Sequence, residues 1–263
     1  MRQRGGLYDC APPDAVVGIG RARAIYIGTL ERVDWHAHGT PVLIAGLAGR
    51  IRIGLEGRCW YRCHAAIIPA GVMHTLELDD NPLAALYVEP QLASISGLSR
   101  LGSHWAEWGQ VLIGNCAALG TFREMYENRQ SLGFAGEAID ELLGFVRRRE
   151  APQVDPRIVN VVRQLADDPG AQTSVGVLAG SQGLSQRRFM ALFQRDMGVR
   201  FRRFRVWNRL RAAIQVALSG RTLTEAALAT GFTDSAHFAR QYHQILGVTP
   251  SSVLRRVARA GGV

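Results

Sequence analysis

Apolar positions fall into two textures along the chain. Between residues 22 and 90, short apolar runs (Ala24–Leu30, Val42–Leu47, Ala84–Val88) are separated by Gly, Pro and Asp, while Arg50, Ile51, Arg52 and Ile53 alternate polar with apolar. Such spacing predicts short strands joined by turns. From about residue 105 the pattern predicts helix. Ile139, Leu142, Leu143 and Val146 recur at i, i+3, i+4 and i+7, one apolar stripe on a helix. Charge and proline from Arg147 to Val154 break that stripe and predict a linker. The expected division is residues 1–150 and residues 153–263, an α+β chain overall.

Beyond the linker the grammar is helical throughout. Asp155 and Pro156 read as N-cap and first helical residue. Ile158, Val161, Val162 and Leu165 continue that helix, and Pro169 with Gly170 ends it. A short helix through Val177, Leu178 and Ala179 leads to a turn at Gly183. Ser185 then caps a helix over 186–197, with Phe189, Leu192 and Phe193 inward and Gly198 as its stop. The stretch 224–254 repeats the layout: short helix, turn at Gly231, second helix, then Gly247 and Pro250. Helix–turn–helix units of this kind enter the DNA major groove. Between them a helix over roughly 200–218 places Phe204, Trp207, Leu210, Ile214 and Leu218 on one face. Thr222 to Glu225 forms a capping box for the next helix. A rod of about 19 residues spans about 28 Å. Successive major-groove faces lie about 34 Å apart, so the rod suits two recognition helices on one side of a duplex.

Charge sharpens this picture. Residues 1–150 carry 15 Arg and 16 acids, whereas residues 151–263 carry 16 Arg and 6 acids, giving local net charges of −1 and +10. The positive excess thus lies with the helix–turn–helix units, as a polyanion partner requires. All basic residues are Arg, whose fork suits phosphates and guanine edges. A hydrophobic content of 47% excludes global disorder. The chain shows no secretory h-region and no apolar run of membrane-spanning length, so a cytoplasmic location without membrane association is expected. Cys10, Cys59, Cys63 and Cys116 are expected as thiols. A spacing of four on a strand would put Cys59 and Cys63, with His64 beside them, on one face.

Residues 178–256 resemble the DNA-binding domain of the AraC (arabinose-regulator) family of bacterial transcription regulators. The resemblance is carried by Gly231, Phe232, Asp234, His237, Phe238, Arg240, Tyr242, Gly247, Thr249 and Pro250. In the first unit it rests on Leu178, Ala179, Gly183, Ser185, Phe189, Phe193 and Gly198. It implies a regulator, usually an activator working with RNA polymerase. It further implies an N-terminal cupin-like β-barrel that binds a small-molecule effector, followed by helices that form a homodimer. Pro69, Gly71 and His74 match a fragment of the second cupin motif, and His36 with His38 matches the first. The carboxylate expected after that pair is missing, because residues 39–43 hold none.

Outward residues near the start of each recognition helix are the expected DNA contacts. They are Gln186, Arg187, Arg188, Met190, Ala191 and Arg195 in the first unit, Arg203 on the rod, and Ser235, Ala236, Ala239, Arg240 and His243 in the second. Arg187 is the expected reader of a guanine edge, and Arg203 is expected on phosphate. Trp35, His36, His38, Trp60, His74 and Tyr87 are candidate effector-pocket residues, aromatic with a few polar groups. His36, His38 and His74 are also a candidate site for a divalent transition metal; hydrogen bonding to backbone is the alternative. The helical stretch Phe134–Val146 could pair with its twin in a homodimer through Leu142, Leu143 and Val146, or pack on its own barrel. Three function classes follow. The leading one is an effector-controlled, sequence-specific regulator of double-stranded DNA with no catalysis. The others are a metal-dependent cupin enzyme fused to a DNA-binding module, and an effector-independent DNA-binding protein.

Overall fold

Short apolar strands, several of them buried on both faces, build the N-terminal half. The computed structural model describes residues 15–30, 32–79, 81–128, 132–149 and 153–260. Cys10, residues 150–152 of the linker and the chain ends lie outside them. A seven-stranded antiparallel sheet has the order β1 (Ala15–Gly20), β2 (Arg23–Gly28), β9 (Leu83–Val88), β4 (Val42–Gly46), β7 (Ala65–Ile68), β11 (Val111–Cys116), β10 (Gly102–Trp108). A four-stranded one has the order β3 (Arg32–His36), β8 (His74–Glu77), β5 (Ile51–Leu55), β6 (Tyr61–Cys63). Successive side chains of a strand point to opposite faces. Val42, Ile44, Ala66, Ile68 and Ala85 therefore share a core with Ile51, Ile53 and Leu76 of the smaller sheet. Leu43, Ile67, Ala84 and Leu86 share another, on the opposite face, with Phe122, Met125 and Ile139. Both faces of β4 are covered, which is why its sequence reads as a continuous apolar run.

Helices α1 (Ile95–Ser99), α2 (Leu119–Glu127) and α3 (Leu132–Arg149) supply that second core. Leu143 and Val146 of α3 are buried there, so the stripe expected as a dimer seam is spent on its own β-domain. The expected turn to helix near residue 105 is also corrected: β10 and β11 form a hairpin that carries strand structure to Cys116. Cys59 is exposed and precedes β6, whereas Cys63 is buried. The two thiols do not share a strand face. Burial pushes the Cys63 thiol up to about 12, far from the reactive thiolate range.

The C-terminal half comprises α4 (Pro156–Asp167), α5 (Val175–Gly180), α6 (Gln186–Met197), α7 (Phe201–Leu218), α8 (Leu223–Ala229), α9 (Ser235–Leu246) and α10 (Pro250–Ala260). Local signals place the ends. Asp155, Ser174, Ser185, Thr222 and Asp234 each accept a backbone N–H at a helix start, and Thr222 with Glu225 completes a capping box. Gly198 and Gly247 close α6 and α9 in the left-handed conformation, φ +68° and +72°, which costs a non-glycine residue about 1–2 kcal/mol. Around α7 the core is aromatic: Phe193 meets Phe201 edge-on at 5.0 Å and Phe204 at 5.4 Å. Leu218 departs from the expected apolar face and is exposed. Arg205 donates to Ala171 and Thr173 carbonyls, and Arg209 to that of Pro169. These arginines fasten the α4–α5 connection instead of lying free. Helix α10 was not foreseen. Pro250, read as a stop, begins it.

Candidate DNA-reading face and interdomain site

The first recognition helix, α6, is held from behind by Phe189, Phe193 and Met197, all fully buried. Its opposite side leaves Gln186, Arg187, Arg188, Met190, Ala191 and Arg195 exposed. Arg195 is partly engaged, donating to Asp196 Oδ1 at 2.6 Å. On α9, Ala236 and Arg240 are exposed, and Ser235 and Ala239 half-buried. Two of the expected DNA contacts lie elsewhere. Arg203 donates to the Ala37 carbonyl at 2.6 Å, and His243 Nε2 stands 3.1 Å from Asp34 Oδ2 of β3. In this arrangement both grip the β-domain, and Arg203, half-buried, keeps only part of its guanidinium on the surface.

Those grips belong to a larger interface. Glu89, just past β9, is 1% exposed and accepts from Trp207 Nε1 at 3.1 Å and from Gln91 at 2.6 Å. Arg211 Nε lies 3.4 Å from the same carboxylate, an ion pair without hydrogen-bond geometry, while Arg211 Nη1 donates to the Gly20 carbonyl at 2.6 Å. Asp34 N–H donates to the Gly247 carbonyl at 2.9 Å. A side chain at Gly247 would strike Val33 and His36, and one at Gly39 would strike Trp207. Both close approaches therefore need glycine. Sequence reasoning missed this seam. Its one local signal is Glu89, a carboxylate ending an apolar strand.

Within the seam lies an apolar cavity of about 60 Å³. The β-domain contributes Tyr26, Leu30, Val33, His36, His38, Ile44 and Tyr87, and the helical half Trp207, Ile214, Tyr242, Leu246, Val248 and Val253. Of the expected pocket residues, His36, His38 and Tyr87 line it. Trp35 is exposed, Trp60 sits under Arg52 on the surface, and His74 lies behind His36 and His38. The part of this wall that the helical half supplies was invisible to sequence reasoning because it comes from the other domain.

His36 ends β3, His74 begins β8 opposite it, and His38 follows two residues on. All three are buried, with their ligand atoms within 4.8 Å of one another. Each Nδ1 faces a backbone carbonyl: His36 that of Asp34 (2.7 Å), His38 that of Ile245 (2.8 Å), His74 that of Val72 (2.9 Å). A carbonyl only accepts, so each Nδ1 carries the proton and each Nε2 keeps its lone pair. His36 Nε2 and His38 Nε2 are 3.2 Å apart, and His74 Nε2 is buried without a partner. Burial drives all three below the usual imidazole range, His74 to about 4.

A family profile described as a helix-turn-helix domain matches residues 178–256. The transcriptional regulator NimR of Escherichia coli is 26% identical over 255 residues, covering 90% of this chain and 88% of that protein. Residues 178–256 are the helix-turn-helix domain of a DNA-binding transcriptional regulator. A probable transcriptional regulator of Photobacterium leiognathi, LumQ, is 22% identical over 235 residues, covering 86% of this chain and 94% of that protein. Solved structures of ToxT from Vibrio cholerae share the fold of this chain. An apo ToxT variant has a TM-score of 0.60 at 13% identity over 90% of this chain and 98% of that one. Wild-type ToxT described as bound to unsaturated fatty acid has a TM-score of 0.57 at 14% identity, covering 90% and 96%. No described helix is long and apolar enough to cross a membrane.

Proposed function

We propose that this regulator reads DNA with the exposed N-terminal faces of α6 and α9 and is switched by an apolar effector at the seam between its halves. Arg187 is the principal base reader, bridging guanine O6 and N7. Gln186, Met190 and Ala191 fill the groove beside it, and Arg188 and Arg195 neutralise phosphate. Ser235, Ala236 and Ala239 present small surfaces suited to thymine methyl groups, with Arg240 as the charged contact. Replacing Arg187 by Ala should cost about 1–3 kcal/mol on a site selected from random DNA, with smaller loss on unselected sequence. Competition binding against both DNAs checks this; equal losses would make Arg187 a phosphate residue.

The observation that carries the effector reading is the cavity walled by both halves. Its lining is mainly aliphatic and aromatic, with His36, His38 and three tyrosines as the polar groups. That composition suits a hydrophobic molecule with one polar head. The fatty-acid-bound ToxT, alike in fold, supports the same class. At about 60 Å³ the space holds only a few water-sized probes. A lipid-sized ligand must therefore widen the seam, binding the opened arrangement better than the closed one, which is what a switch requires. The regulator reading needs no catalytic step, and the relatives' naming as regulators supports it.

The test uses the full chain, its selected DNA site and an unsaturated long-chain fatty acid. Ligand is expected to change DNA affinity by about 5- to 150-fold. Leu246→Trp, which fills the cavity, should abolish that response while retaining DNA binding. An undiminished response in Leu246→Trp would place the effector elsewhere.

A further inference from the structure

We propose that His36, His38 and His74 hold a divalent transition-metal ion of the zinc type, and that this ion fastens the end of the second recognition helix to the β-domain. The site deepens the regulator reading above, and only its regulatory meaning rests on that reading. The first support is tautomeric. Three backbone carbonyls fix the proton on each Nδ1, leaving an Nε2 lone pair on each of three buried rings whose ligand atoms lie within 4.8 Å of one another. Orientation of ligating imidazoles through the other ring nitrogen is what metal sites use.

The second support is a conflict that a cation removes. Two acceptors face each other at 3.2 Å, and a third, His74 Nε2, is buried without any partner. An unpaired buried acceptor costs about 1–3 kcal/mol. A metal ion uses all three lone pairs. Nitrogens bound at 2.0–2.1 Å to a tetrahedral ion stand about 3.3 Å apart, close to the His36–His38 separation. Imidazole donors without thiolate or carboxylate select zinc, copper, nickel or iron over magnesium or calcium. The fourth position remains for water or an anionic ligand.

The third support is what the histidines touch. His38 Nδ1 donates to the Ile245 carbonyl on α9, 207 positions along the chain. His36 lies under Gly247, where any Cβ would strike its ring, and the neighbouring Asp34 N–H donates to the Gly247 carbonyl. Ordering His36 and His38 thus orders the last turn and cap of α9.

The experiment uses the full chain stripped with a chelator, with cobalt(II) and zinc as probes. Cobalt should bind at one equivalent per chain, give the visible bands of a four-coordinate ion, and be displaced by zinc. His74→Gln should bind at least about tenfold more weakly. His36→Gln serves as a second variant, and circular dichroism reports that each remains folded. Zinc should slow amide exchange over residues 242–248 about tenfold in wild type but not in His74→Gln. Absence of cobalt binding by folded wild-type protein overturns the site. Binding with unchanged exchange over 242–248 overturns the link to α9. Neither readout involves DNA or an effector, so a failure here is distinct from a failure of the regulator reading.

Discussion

Glu89→Ala should lower the stability of the joined molecule by about 3–5 kcal/mol, because it strands a buried guanidinium. Arg211 has a side chain only 9% exposed, and Glu89 is the carboxylate beside it. The same substitution removes the acceptor of Trp207 Nε1, leaving a second buried polar group unmatched. Both partners come from the helical half, so the damage falls on the seam. Thermal unfolding followed by calorimetry should show an earlier transition, with the two halves melting apart. Glu89→Gln keeps an acceptor but not the charge and should cost less. Replacing Glu89 and Arg211 together by neutral residues of similar size should recover part of the loss, since the penalty lies in the unpaired charge. A loss below about 1 kcal/mol for Glu89→Ala, the range of an exposed ion pair, would show that the carboxylate does not clamp the halves.

Trp207→Ala should be comparably severe, about 3–5 kcal/mol, through a cavity and not a charge. Trp207 is 1% exposed, donates to Glu89, and stacks at 5.2 Å on Tyr87. It also meets Gly39, where backbone comes too close for any side chain. Removing the indole empties the wall shared by the aromatic core and the effector cavity. Urea unfolding should show a lower midpoint, and ligand response should fall even where the protein remains folded. Trp207→Phe should be milder, keeping most of the contact and losing the donated bond. Because Trp207 and Glu89 touch, the double variant should lose less than the two single losses combined. Strict additivity would mean that they act independently.

Cap and period signals in the chain locate α4, α6 and α9 closely but do not reveal α10. Helix starts depend on an Asp, Ser or Thr two or three positions from the amide it caps, and stops on a glycine able to turn left-handed. Ser185 with Gly198, and Asp234 with Gly247, are therefore legible within a dozen residues. The burial side of α4 and α6 follows from their period, and the surplus of arginine points to DNA. Errors arose where local signals are ambiguous: Pro250 opens a helix as readily as it ends one, and the Trp105–Trp108 stretch carries no clean strand alternation. The contacts of Arg203, His243, Trp207 and the three histidines arise from three-dimensional packing alone. Their partners lie far along the chain, as with Trp207 and Glu89, 118 positions apart, or His38 and Ile245, 207 apart. No periodicity encodes such a meeting. It is fixed by the docking of a helical unit on a β-domain, in which glycine permits the approach and a buried carboxylate selects its guanidinium.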